Sequence, residues 1–196
     1  MRKRVPRRMG AMLRHGLAAL AVLGLTVVGT VAGSTEPARA DSTVVCANAG
    51  VPAGYVVTGV GINQCAGYHR LAITNDLYEG IPVCSLWGIP GGWYATGGAA
   101  NDATCGYSNR FQIRAGLYDG ISVCAATGIP GGWIATGARS NDPNCANLNR
   151  YQITSSLYDG ISMCAASDVP GGWVVTQVLA NDPNCAYLNR YVIRRL

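Results

Sequence analysis

The sequence predicts an all-β protein made of four tandem copies of one disulfide-stapled unit. Three observations predict it. Cysteines open the copies at Cys46, Cys84, Cys124 and Cys164, offset by 38, 40 and 40 residues. A second cysteine follows in each, at Cys65, Cys105, Cys145 and Cys185. Beyond residue 40, no stretch of about twelve residues keeps a helical apolar period. The copies run 46–83, 84–123, 124–163 and 164–196, inside one domain spanning 41–196.

The first forty residues read as an export signal. Arg2, Lys3, Arg4, Arg7, Arg8 and Arg14 form a basic start, and Gly16 to Val31 is apolar apart from two threonines. Ala38-Arg39-Ala40 offers small residues at a cleavage site. The rival reading is an uncleaved membrane anchor, which needs roughly 18 apolar residues. Glycines and threonines dilute this run, so cleavage after Ala40 and secretion are expected.

Within a copy, the elements follow from the third. Gly128-Ile129-Pro130-Gly131-Gly132 is a tight-turn signature, with Pro130 expected second and a positive-φ glycine third. Trp133 to Thr136 reads as a short strand, and Ser140 to Cys145 as a polar loop. Asn149 to Ile153 reads as a second strand. Tyr151 and Ile153 share one face of it, and Arg150 and Gln152 the other. Leu157-Tyr158-Asp159-Gly160-Ile161 holds an Asp-Gly pair that favours a hairpin. Ile161 to Cys164 is a third strand that opens the next copy. About three short strands per copy cannot bury much core, so the copies must stack, close a ring, or lean on disulfides.

Eight cysteines in an exported chain point to disulfides, and no C-x-x-C spacing suggests zinc. Pairing within copies gives Cys46–Cys65, Cys84–Cys105, Cys124–Cys145 and Cys164–Cys185. Pairing between copies gives Cys65–Cys84, Cys105–Cys124 and Cys145–Cys164, with Cys46 left for Cys185. The first scheme treats every copy alike and is the one expected.

Some positions recur in all four copies. They are the proline Pro52, Pro90, Pro130 and Pro170, then the ring Tyr55, Trp93, Trp133 and Trp173, then the threonine Thr58, Thr96, Thr136 and Thr176. Arg70, Arg110, Arg150 and Arg190 follow the second cysteine, and Ile73, Ile113, Ile153 and Ile193 lie three further on. The repeated ring reads as a core plug or a glycan-stacking platform. Trp87 breaks the pattern and is the candidate for an exposed binding ring.

The loop pairs Asn101-Asp102, Asn141-Asp142 and Asn181-Asp182 are candidate contacts to sugar hydroxyls, and also plain turn formers. One acid per loop is too few for a calcium loop, so no metal is expected. The first copy is two residues shorter there, with Asn63-Gln64, and has His69 where the others have asparagine. The repeated arginine is expected to pair inside its copy, with the loop aspartate or with the acid of the Tyr-acid-Gly turn.

Charge and motifs exclude several classes. Residues 41–196 hold eight arginines, no lysine and nine acids, so the basic balance belongs to the leader. Nothing there supplies the positive footprint that nucleic acid requires. After leader removal no membrane association is expected. His69 is the only histidine in this region, G-x-S-x-G is absent, and the glycines lie in turns rather than phosphate loops. No enzyme and no cofactor are expected. The Gln-x-Trp signature of β-trefoils and the Gln-x-Asp-x-Asn-x-Val-x-Tyr signature of bulb-type lectins are also absent. The expectation is a secreted, non-catalytic protein binding extracellular or envelope carbohydrate through several copies. The alternatives are an inhibitor or antagonist of a secreted protein, and a structural surface protein.

Overall fold

A computed structural model describes residues 43–196; the leader expected over 1–40 lies outside them. Each copy forms one three-stranded antiparallel sheet. The sheets comprise β1 (Thr43–Cys46), β2 (Val56–Cys65) and β3 (Tyr68–Thr74); β4 (Ile81–Cys84), β5 (Tyr94–Asp102) and β6 (Ser108–Arg114); β7 (Ser122–Cys124), β8 (Ile134–Asp142) and β9 (Leu148–Thr154); and β10 (Ser162–Cys164), β11 (Trp173–Leu179) and β12 (Arg190–Arg195). In every sheet the third strand lies in the middle, between the first and the second. That central strand carries the recurring arginine and isoleucine. Ile73, Ile113, Ile153 and Ile193 are all buried.

The four disulfides join cysteines within copies, as expected. Each later disulfide also plugs the sheet of the copy before it. Cys84 and Cys105 pack with Val57, Leu71 and Ile73 of the first copy. Cys124 and Cys145 pack with Ala95, Phe111 and Ile113 of the second. Cys164 and Cys185 pack with Ala135 and Ala138 of the third. Those six sulfur-bearing residues are fully buried. Cys46 and Cys65 have no preceding copy to plug and remain half-buried.

The copies stack in line. The Val60, Gly98 and Ala138 amides donate to the Thr104, Asn144 and Asn184 carbonyls of the following copy, at 2.7, 2.6 and 2.7 Å. Among the described residues no backbone hydrogen bond joins the fourth copy to the first, so the stack is open rather than ring-closed.

A bulge in every second strand explains the recurring threonine. Pairing with the central strand skips Thr58, Thr96, Thr136 and Thr176. The displaced hydroxyl donates to the central strand, from Thr58 to Ala72 O (3.3 Å), Thr136 to Gln152 O (3.3 Å) and Thr176 to Val192 O (3.1 Å). A bulge leaves one residue outside the ladder, and a short hydroxyl side chain bridges the gap.

Three local expectations are corrected. The Trp133 amide bonds to Pro130 O, so the proline is first in the turn and Gly132, at φ 80°, is third. The Asp-Gly turn is not a hairpin. Ile161 N bonds to Tyr158 O, but the flanking strands β9 and β10 belong to different sheets. The polar loop is also shorter than expected, because β8 runs on to Asp142 through a second irregularity. Asn141 makes this possible by taking φ 52°, a left-handed conformation that asparagine tolerates.

Candidate functional site

Strand alternation puts the core on one face of each central strand and a polar row on the other. On β6, Phe111 and Ile113 are buried, while Arg110, Gln112 and Arg114 face the opposite way. Where consecutive copies meet, these rows line open grooves. The groove between the second and third copies holds Thr96, Asp102, Arg110, Gln112 and Asn144, with a volume near 470 Å³. The groove between the third and fourth holds Thr136, Arg139, Arg150, Gln152, Asn184 and Arg190, near 660 Å³.

The loop aspartates are tied into their own copies. Oδ1 of Asp102, Asp142 and Asp182 accepts the amide two residues on, from Thr104, Asn144 and Asn184, each at 2.8 Å. Oδ2 lies 3.6, 3.5 and 3.6 Å from Arg110, Arg150 and Arg190. Asp142 is only 5% exposed. Burial pushes the Asp102 carboxyl up, but hydrogen bonds from Thr104 and the charge of Arg110 outweigh it and hold the group below its ordinary value. Each aspartate thus folds its loop and neutralises an arginine at the groove. Asn101, Asn141 and Asn181 are exposed beside them, all at positive φ.

Trp87 is half-buried, and packs against the cluster of Val57, Leu71 and Ile73. It stands where later copies carry Thr127 and Ser167. Their hydroxyl oxygens accept the bulge amides of Ala95 and Ala135 at 3.1 and 3.0 Å. The ring therefore fills the first junction. Trp93, Trp133, Trp173 and Tyr55 are likewise half-buried and packed on core clusters. His69 accepts the Asn63 amide at Nδ1, 3.4 Å away, inside the shortened first loop.

The exposed rings are all tyrosines: Tyr68, Tyr107 and Tyr187, at or beside the links between second and third strands, and three that recur between sheets. Tyr78, Tyr118 and Tyr158 are 56%, 57% and 63% exposed, one in each connector between sheets. Each opens a turn closed by the amide of Ile81, Ile121 or Ile161, with glycine at φ 84–87° in third position. The next residue, an acid, fastens the connector to the end of the following sheet. Glu79 accepts from the Gly116 amide at 2.9 Å and pairs with Arg114 at 3.0 Å. Asp119 accepts from Ser155 N at 2.7 Å and from the Ser156 hydroxyl, and Asp159 accepts from Arg195 N at 2.8 Å. Arg114 then stands 5.9 Å over the Tyr118 ring, linking the connector to the polar row of β6. The signal for these tyrosines was in the sequence. Leu-Tyr-acid-Gly-Ile recurs three times, but its Asp-Gly or Glu-Gly pair draws attention to the turn and away from the ring before it.

Among the described residues no group of three or more His, Cys, Asp or Glu side chains is placed to hold a metal ion. No helix there is long and apolar enough to cross a membrane. Four disulfides fit an oxidising, extracellular setting. Comparison with protein families, with curated proteins and with solved structures finds no match to this chain.

Proposed function

We propose that this chain is an exported, non-catalytic protein that binds extracellular or cell-envelope carbohydrate through several equivalent sites. The observation that carries the reading is the row of exposed tyrosines, Tyr78, Tyr118 and Tyr158, held at the same place in three successive connectors. A flat ring with a polar tip suits a sugar, which presents C–H groups and hydroxyls together. Tyr68, Tyr107 and Tyr187 are also more than half exposed, but they occupy no position shared by three copies, whereas the connector tyrosines recur in three successive connectors. The neighbouring grooves add threonine, glutamine, asparagine and arginine, the donors and acceptors that hydroxyls use.

Recurrence favours weak contacts summed over spacing. An inhibitor acting through one loop would concentrate its features in one copy, whereas these features are shared by three. The non-catalytic part of the reading rests on how the reactive groups are used. His69 is engaged by a backbone amide, and the loop carboxylates by arginine and loop amides.

The test is retention on insoluble polysaccharides. The wild-type protein is expected to be retained on at least one. Tyr118→Ala should weaken retention, and alanine at all three tyrosines should abolish it with little change in thermal stability. Failure to bind any polysaccharide, or full retention by the triple variant, overturns the reading.

A further inference from the structure

The two ends of the stack differ. In the first three copies the outer edge of the second strand is covered by the next copy. In the fourth copy that strand is β11, and among the described residues it pairs only with β12. The amide at the position of Gly98 and Ala138 belongs to Val178, and no described residue takes the place of the Asn144 and Asn184 carbonyls. The sequence changes at the same point. Gly97-Gly98-Ala99 and Gly137-Ala138-Arg139 become Gln177-Val178-Leu179. Val175, Val178 and Leu179 are all exposed, Val178 by 54%. The strand Trp-Val-Val-Thr-Gln-Val-Leu has no charge, proline or glycine, so nothing in it discourages edge pairing.

We propose that β11 is a self-association edge, at which the chain pairs antiparallel with β11 of a second copy of itself about a two-fold axis. Three considerations choose this occupant. The edge continues a surface that is an interface in every earlier copy. A strand edge is self-complementary when antiparallel, because each outward amide meets an outward carbonyl of the identical strand. Head-to-tail growth onto the first copy of another chain is not provided for. The loop that supplies the accepting carbonyl is two residues shorter there, and Ala49 supplies neither the accepting hydroxyl of Thr127 and Ser167 nor the junction-filling ring of Trp87. Association therefore closes at two copies and places two rows of connectors on one particle.

Sedimentation of the purified protein at micromolar concentrations tests this. Wild type is expected at twice the monomer mass. Val178→Lys puts a charge on each edge and should give monomer. Val178→Gly restores the residue of the second copy, so it keeps a backbone already compatible with the fold, and should shift the equilibrium toward monomer. Val44→Lys, on the exposed first strand of the first copy, should leave the dimer intact. A monomeric wild type, a dimer that survives both Val178 variants, a dimer broken by Val44→Lys, or open-ended growth with concentration would each overturn the proposal.

Discussion

Phe111 lies so close over Gly98 that a Cβ built on the glycine would stand 2.5 Å from the ring and 3.0 Å from the Arg110 carbonyl. The other copies place Leu71, Tyr151 and Tyr191 opposite Val60, Ala138 and Val178, and accept a side chain there. The second copy alone pairs its large buried ring with a glycine. Gly98→Ala is therefore expected to destabilise by about 1–3 kcal/mol, the usual range for overpacking. Phe111→Leu should recover part of that loss in the double variant. Denaturant unfolding of the single and double variants checks it, and additive losses would show that the ring and the glycine are not coupled.

The first disulfide should be the first to open. Cys46 and Cys65 are half-buried, while the other six cysteines are sealed under the preceding sheet. Mild reduction followed by alkylation and mass analysis should label Cys46 and Cys65 before any other residue. Replacing both by serine removes the closure of a short loop, worth on the order of 3 kcal/mol, and should leave the later copies folded. Simultaneous labelling of all eight would show that the stack opens as one unit.

Much of this architecture was legible in the sequence because the copies report on one another. The period, the within-copy disulfides, the alternation on Arg150 to Ile153 and, in the three copies with a loop aspartate, the arginine partnered inside its copy all follow from residue type and spacing. What was not legible depends on neighbours in space. Nothing local says that Cys124 and Cys145 will plug the sheet holding Phe111, or that Trp87 will fill a junction. The Asp-Gly turn has the chemistry of a hairpin turn whether the flanking strands pair with each other or, as here, join different sheets. Exposure of the connector tyrosines is a property of packing, and the turn beside them carries the stronger local signal.

The loop aspartates are expected to act on stability before they act on binding. Asp142→Ala would leave the Asn144 amide without its acceptor and Arg150, a third exposed at the groove, without its carboxylate. The expected cost is about 0.5–2 kcal/mol, that of one loop-closing hydrogen bond to a charged group and a partly solvated ion pair. Thermal unfolding measures it. Unchanged stability with lost polysaccharide retention would instead make Asp142 a direct ligand contact.

Acid should loosen the connectors. Hydrogen bonds from the Ser156 hydroxyl first, then from the Ser155 amide and the Thr154 hydroxyl, hold the Asp119 carboxyl well below the usual carboxylate range. Asp102 is shifted the same way. A carboxylate depressed in the folded state lends stability that is complete above the unfolded value of about 4 and fades as pH falls toward the folded one. Denaturant midpoints should therefore be flat from neutral pH to about 5 and fall below about 4. Ser156→Ala should raise the Asp119 titration midpoint seen by carbon-detected NMR. A midpoint unmoved by that change would remove the serine from the account.

Arg139 should set the ligand charge preferred by the last groove. Arg150 and Arg190 are each faced by an aspartate, but no carboxylate among the described residues lies within ion-pair distance of Arg139. The second copy has Ala99 at the matching position. The groove between the third and fourth copies thus carries one uncompensated positive charge that the groove before it lacks. Acidic polysaccharide should be retained more strongly than a neutral one, and the difference should shrink as salt screens an exposed charge. Arg139→Ala should erase the difference while shifting stability by no more than about 0.5 kcal/mol, as expected for an unpaired surface residue. Retention that ignores both salt and Arg139 would move carbohydrate recognition away from this groove and leave it to the tyrosine row alone.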